Sequence, residues 1–161
     1  RISADLEAEI SAIAQTLLSA LDWIGIFGIE FFLTEDHHIL VNEIAPRTHN
    51  SGHYTLDACD VSQFAMHLKA VTGETLTPPQ MKVAAAVMVN LLGYESTTEQ
   101  YLEKRKQLEV LPNTHVYWYG KTQARPGRKL GHVTVLGESI AEASAIADQV
   151  SEIWYPHDDE R

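Results

Sequence analysis

The chain has 161 residues, 45% of them hydrophobic and 21% charged, a composition typical of a globular protein with one or two small domains. Its formal net charge of −10 argues against binding to nucleic acid or to an anionic membrane, since both need a basic protein surface. No apolar run reaches the roughly 18 residues of a membrane span, and no signal peptide is recognisable. A single cysteine, Cys59, excludes an internal disulfide and favours a cytoplasmic location.

The first 75 residues predict a helix, a β-hairpin and a second helix. Ser3 is a suitable N-cap for the first helix. Apolar residues then recur at helical spacing: Leu6, Ile10, Ile13, Leu17 and Leu21. Residues 23–44 predict the hairpin, with Asp36 and His37 as a two-residue turn, and residues 45–55 form a polar loop. The second helix begins at Asp60 or Ser62 and ends at Gly73.

The proline-containing segment 76–82 predicts a linker, because Pro-Pro fits neither a helix interior nor a central strand. Residues 83–161 then predict a small α/β domain. Strands are expected at 84–92, 114–119 and 131–136, helices at 97–108 and 139–153, and a frayed tail at 157–161. The predicted fold class is α+β: a helix and an antiparallel hairpin, followed by this small domain.

Two acidic side chains are predicted to face each other across the hairpin. With the turn at residues 36–37, Glu30 lies opposite Glu43 on one side of the sheet. Opposed carboxylates repel each other, so the pair calls for a cation or a shared proton. Magnesium held by carboxylates and nucleotide phosphates is one interpretation. Two solvated charges on an exposed hairpin are the other.

The polar loop after the second strand holds Arg47, His49 and Asn50. An arginine offers a rigid donor fork for carboxylate, bicarbonate or phosphate, and a histidine can donate a hydrogen bond or move a proton. Functional groups often occupy loops at strand ends. The alternative interpretation is a polar surface turn in which Asn and Ser side chains satisfy the local backbone.

A basic segment lies near the end of an otherwise acidic chain. Residues 121–129 hold four of the twelve Lys and Arg residues. Pro126 and Gly127 favour a turn that brings Lys121 and Arg128 toward one point. This pattern fits a site for a single phosphate group, or else a solvated loop that balances nearby acids.

The sequence NEIAPRTHNSGHYT at residues 42–55 resembles that of N5-carboxyaminoimidazole ribonucleotide synthetases, which are ATP-grasp enzymes of purine biosynthesis. Further matching strings cover nearly the whole chain. They are SQF at 62–64, HLKA at 67–70, VMVNLLG at 87–93, YGK at 119–121 and RPGRKLGH at 125–132.

The resemblance implies a carbon–nitrogen ligase that uses ATP, magnesium and bicarbonate to carboxylate aminoimidazole ribonucleotide. Glu30 and Glu43 would hold magnesium on the ATP phosphates, with Asn42 beside Glu43 at the nucleotide site. The resemblance further assigns a carboxyphosphate pocket to Arg47, His49 and Asn50, and the ribose 5-phosphate to Lys121, Arg128 and, less strongly, Lys129. It also allows a homodimer.

The chain resembles the C-terminal part of such an enzyme, beginning inside the ATP-grasp domain. The family's N-terminal domain, glycine-rich loop and ATP-binding lysines have no counterpart among these residues. We therefore expect the isolated chain not to catalyse the reaction. Where many ATP-grasp enzymes carry Asn two residues after the second glutamate, Ala45 stands here, a feature this family shares. A non-catalytic α/β binding module and another ATP-grasp ligase stay open as alternatives.

Overall fold

The computed structural model of the chain describes residues 2–156, which form two compact units. The first unit comprises residues 2–52 and 61–78, and the second comprises residues 53–60 and 79–156. The predicted division at the linker 76–82 stays a prediction, and the predicted frayed tail at 157–161 lies outside the described residues. No helix within residues 2–156 combines the length and the hydropathy needed to cross a membrane.

The chain combines helices with antiparallel strands, and the predicted α+β class is confirmed. In chain order the elements are α1 (Ala4–Leu21), β1 (Gly28–Leu33), β2 (Ile39–Ala45), α2 (Thr55–Ala58), α3 (Gln63–Thr72), β3 (Ala85–Leu92), α4 (Leu102–Glu109), β4 (Thr114–Trp118), β5 (Lys129–Gly137) and α5 (Ile140–Trp154). The first unit therefore holds α1, the β1–β2 hairpin and α3. The second holds α2 and the remaining elements.

Serine caps begin the three longest helices, since each hydroxyl accepts a backbone N–H that the first turn would leave unpaired. Ser3 accepts from the amide of Leu6 at 3.2 Å, and Ser62 and Ser139 do the same for α3 and α5. Gly73 ends α3 in the left-handed conformation, with φ of 74°. The starts of these three helices thus follow from serine side chains, and the end of α3 follows from one glycine.

The hairpin has the predicted pairing at its open end but not the predicted turn. Glu30 lies opposite Glu43, whereas the next pair is Phe31 opposite Val41, so a β-bulge leaves Asn42 as an extra residue on β2. A five-residue loop, 34–38, connects the two strands, and the Thr34 amide donates to the His38 carbonyl at 3.0 Å across its base. The prediction of a two-residue turn at residues 36–37 was wrong, because the bulge places one extra residue on β2 and shifts every later pair by one position.

The second unit is built on a three-stranded antiparallel sheet in the order β3-β5-β4. The central strand β5 is buried over most of its length. Helix α5 presents Ala143, Ile146, Val150 and Trp154 to this core, which also holds Leu91 and Leu108. The Trp154 indole N–H donates to the Leu92 carbonyl at 2.8 Å, so the largest core side chain also satisfies its polar atom.

Two local predictions in the second unit differ from the structure. The helix expected over residues 97–108 begins only at Leu102, because Thr97 forms an isolated antiparallel bridge with Ala124 and Tyr101 has a left-handed backbone, with φ of 49°. The short helix α2 lies in the segment interpreted as loop and connection. Tertiary pairing outweighs the local helical pattern in the first case.

Candidate functional site

Two carboxylate side chains and one imidazole converge at the hairpin of the first unit. Glu30, Glu43 and His49 each offer one ligand atom, and these atoms lie within 4.8 Å of one another. The His49 Nε2 lies 3.6 Å from the Glu30 Oε1. The His49 side chain is 12% exposed and that of Glu30 is 44% exposed, so solvent or a ligand can reach the carboxylates. Two carboxylates and an imidazole suit a divalent cation.

The β-bulge determines which side chains join this cluster. On a regular strand Asn42 and Glu43 would point to opposite faces. In this hairpin the Asn42 Nδ2 donates to the Glu30 Oε2 at 3.3 Å, while Glu43 lies opposite Glu30. The extra residue thus turns both side chains toward one carboxylate. The structure therefore brings together both predicted metal ligands, the predicted nucleotide-site residue and one predicted catalytic residue.

His49 reaches the cluster because β1 carries a glycine beneath it. A Cβ added to Gly28 would lie 2.6 Å from the His49 Cβ, so any other residue at position 28 would displace the histidine. Gly28 and Glu30 are two residues apart on one strand and share a face. The other ring nitrogen of His49, Nδ1, lies 2.9 Å from the Ser51 Oγ.

Arg47 and Asn50, the other predicted catalytic residues, have different surroundings. Arg47 is exposed, and its Nη1 donates to the carbonyl of the next loop residue, Thr48, at 3.0 Å. The Asn50 Oδ1 is buried, and within residues 2–156 it has no hydrogen-bond partner. A buried acceptor without a donor is uncommon in folded proteins and is ready to accept one from a ligand or water.

The basic segment forms an ordered loop in the second unit. Gly93 makes two backbone hydrogen bonds to this loop. The Gly93 amide donates to the Arg128 carbonyl at 2.8 Å, and the Gly93 carbonyl accepts from the Gly127 amide at 2.9 Å. A Cβ at Gly93 would lie 2.4 Å from the Arg125 carbonyl oxygen, so the close approach requires glycine. Lys121 donates through Nζ to the Lys129 carbonyl, and the Arg128 Nη1 donates to the Gln123 carbonyl.

The cations of this loop influence one another. Burial first, and then the positive charges of Arg128, Arg125 and Lys129, lower the pKa of Lys121. Such mutual repulsion is relieved when an anion binds among the cations. Convergence of Lys121 and Arg128 on a single anion stays a prediction.

A second polar cluster, not predicted from the sequence, lies among aromatic rings in the second unit. The His132 ring stacks between His53 and Tyr117 at centroid distances of 4.6 and 4.7 Å. The His132 Nδ1 lies 2.8 Å from the Tyr119 Oη, and the Tyr117 Oη donates to Asp57 at 2.9 Å. Burial, followed by the charge of His53, lowers the pKa of His132 to about 4. His132 is therefore neutral at physiological pH.

Sequence reasoning also missed Gln63 as part of the first site. Its side chain bonds to both backbone polar groups of His49. The two residues are 14 positions apart and neither lies in the hairpin, so no local spacing pointed to this contact.

Comparison with known proteins matches both halves of the chain to families. Residues 1–64 match the family of the ATP-grasp domain, and residues 86–146 match that of the phosphoribosylaminoimidazole carboxylase C-terminal domain. An N5-carboxyaminoimidazole ribonucleotide synthase from Synechocystis sp. is 50% identical over 95% of this chain, which covers 44% of that protein.

Solved structures agree with this assignment. N5-carboxyaminoimidazole ribonucleotide synthetase from Thermotoga maritima has a TM-score of 0.81 and 41% identity, over 95% of this chain and 42% of that one. The Aspergillus clavatus N5-carboxyaminoimidazole synthase, in complex with ADP and 5-aminoimidazole ribonucleotide, has a TM-score of 0.81 and 32% identity, over 95% and 41%. The chain thus spans less than half the length of these relatives. It belongs to the N5-carboxyaminoimidazole ribonucleotide synthase family of ATP-grasp proteins.

Proposed function

We propose that this chain contributes metal-binding and anion-binding groups to an ATP-dependent carboxylation. The reaction joins bicarbonate to the amine of 5-aminoimidazole ribonucleotide and releases ADP and phosphate. The observation that carries the proposal is the cluster of Glu30, Glu43 and His49, whose ligand atoms lie within 4.8 Å of one another. Family membership supports the choice of reaction.

Glu30 and Glu43 are proposed to hold Mg²⁺, whose chemical contribution is to screen the charge of the ATP phosphates. Asn42 supports this assignment, because its amide already donates to Glu30 and fixes the orientation of that carboxylate. Carboxylate oxygens are the ligands that Mg²⁺ prefers, with water completing its coordination.

Arg47, His49 and Asn50 are proposed to bind bicarbonate and the carboxyphosphate made from it. The guanidinium of Arg47 matches the geometry of a planar carboxylate. The imidazole of His49 can donate or accept one proton beside the carboxylate pair. The Asn50 Oδ1, which is buried and has no hydrogen-bond partner within residues 2–156, can accept a hydrogen bond from the substrate amine.

Lys121 and Arg128, together with Lys129, are proposed to bind the 5-phosphate of the ribonucleotide. The lowered pKa of Lys121 supports this role, because the neighbouring positive charges that cause part of it would be neutralised by a phosphate. A homodimer and a cytoplasmic location complete the proposal, and sedimentation analysis of the purified protein tests the first.

The test uses a polypeptide that joins this chain to the remainder of the relatives' length, alongside the chain alone. We expect the longer polypeptide to hydrolyse ATP only when Mg²⁺, bicarbonate and 5-aminoimidazole ribonucleotide are all present, and the chain alone to be inactive. Stimulation by a different amine would identify another ATP-grasp ligase. An absence of ATP hydrolysis with every amine would favour a non-catalytic binding module.

A further inference from the structure

The backbone of His49 is held by one buried side chain. The His49 amide donates to the Gln63 Oε1 at 2.8 Å, and the Gln63 Nε2 donates to the His49 carbonyl at 2.9 Å. A carboxamide has an acceptor oxygen and a donor NH2 group, so Gln63 pairs with the amide and the carbonyl of His49 as a neighbouring strand would. Gln63 is only 7% exposed and is the first residue of α3, whose start is fixed by the Ser62 cap.

Two glycines make room for this arrangement. A Cβ at Gly52 would lie 2.6 Å from the Gln63 Oε1, and a Cβ at Gly28 would lie 2.6 Å from the His49 Cβ. Gln63 therefore fits against Gly52, and His49 fits over Gly28. These contacts leave the imidazole with its Nε2 at 3.6 Å from Glu30. Helix α3 and strand β1 thus fix His49 from two sides.

We infer that Gln63 is a positioning residue, which holds the imidazole of His49 at the Glu30–Glu43 pair through the backbone of the loop. The catalytic consequence rests on the proposed function, because it requires His49 to act on bound bicarbonate or carboxyphosphate. A shift of about 1 Å in a catalytic group can lower a rate about 100-fold.

The main test replaces Gln63 with methionine, which keeps the length of the side chain and removes both hydrogen bonds. In the polypeptide that carries the complete relatives' length, Gln63→Met is expected to lower kcat for ribonucleotide-dependent ATP hydrolysis about 10- to 100-fold. The KM for ATP is expected to change less than about twofold, because the two proposed Mg²⁺ ligands, Glu30 and Glu43, remain in place. The matched control is Gln15→Met on the exposed surface of α1, which should leave both constants unchanged.

Gln63→Glu provides a rescue that a merely structural role would not show. In its protonated form, the introduced carboxyl group would accept from the His49 amide and donate to the His49 carbonyl, as the carboxamide does. The ionised carboxylate could not donate. Burial raises the pKa of such a carboxyl group. The kcat of Gln63→Glu, divided by that of the wild type at each pH, is therefore expected to rise as the pH falls.

Gly52→Ala tests the same contact without altering any hydrogen-bonding group. Its Cβ would displace the Gln63 carboxamide, so its loss of kcat should resemble that of Gln63→Met. If both variants keep wild-type kcat, or if Gln63→Glu shows no pH-dependent recovery, Gln63 does not position His49.

Amide hydrogen exchange of His49, measured by NMR on this full chain, separates the two levels of the proposal. We expect the His49 amide to exchange at least about tenfold more slowly in the wild type than in Gln63→Met, with Gln15→Met like the wild type. Equal exchange rates would overturn the positioning contact whatever the activity. If the longer polypeptide shows no ribonucleotide-dependent hydrolysis but the exchange difference is present, the proposed function fails and the positioning contact stands.

Discussion

The two units of this chain differ in how their structure is supported. The second unit encloses a core in which Leu91, Leu108, Val133, Val135, Val150 and Trp154 are fully buried. In the first unit, none of the 18 residues of α1 is buried. That unit also exposes large apolar side chains: Leu21, Trp23, Ile24, Phe32, Leu33, Leu40, Val41, Phe64, Leu68 and Val71.

The buried core and the candidate metal site therefore lie in different units of the chain. An isolated two-stranded sheet is marginally stable in water, and an apolar surface of this extent marks a region that packs against something else. The carboxylate cluster nevertheless sits in the first unit, on the hairpin. We therefore expect core substitutions in the second unit to dominate the stability of the chain, and substitutions in the hairpin to affect binding far more than stability.

The largest expected effect compares two tryptophans. Trp154→Ala removes a fully buried side chain of the second unit and should lower the free energy of unfolding by about 4 kcal/mol. Trp23→Ala, at a 54% exposed position that stacks on Phe27, should lower it by about 1 kcal/mol. Urea unfolding followed by circular dichroism measures both. Equal losses would show that the first unit also depends on a packed core.

The next effect concerns pH and the second unit. His132 is 2% exposed and its pKa is lowered from 6.5 to about 4 by burial and then by His53, against the opposing charge of Asp57. Below pH 6.5 the unfolded chain takes up a proton at this residue while the folded chain does not. The free energy of unfolding should therefore fall by about 3 kcal/mol as the pH drops from 6.5 to 4.

His132→Gln removes the titrating group and should flatten this part of the stability profile. The matched control is His38→Gln in the hairpin loop, where the histidine side chain is 74% exposed. Its profile should follow that of the wild type. If His132→Gln retains the full dependence on pH, the acid sensitivity arises from groups other than His132.

The sequence predicted this fold well where structure depends on neighbouring residues. Serine caps, Gly73 and apolar spacing located α1, α3 and α5 within a residue or two. It failed where a distant segment decides the backbone. Residues 97–101 have the polar composition of a surface helix, yet Thr97 pairs with Ala124, which lies 27 positions away in the basic loop.

The candidate site shows the same division. Glu30, Asn42, Glu43 and His49 lie within 20 residues, and hairpin pairing was enough to predict that the two glutamates meet. The bulge at Asn42 was not predicted, because it shows only as a shift of pairing register between Glu30 and Phe31 in the folded hairpin. Gln63 and Gly93 act on loops remote in sequence, and only the folded chain brings them into contact.

The smallest effect on stability, and the sharpest test of the comparison, comes from Glu43→Gln. Opposed like charges cost about 0.2–1 kcal/mol, so the variant should be as stable as the wild type or slightly more stable without a divalent ion.

Mn²⁺, used as a probe for the Mg²⁺ site, should raise the melting temperature of the wild type, because a ligand that binds only the folded state stabilises it. This rise should be lost in Glu43→Gln and kept in Glu35→Gln, whose residue is an exposed glutamate of the hairpin loop. If all three proteins respond equally to Mn²⁺, the carboxylate pair is not the metal site. A loss confined to Glu43→Gln would mean that the hairpin retains two repelling charges at a cost in stability because they bind a cation.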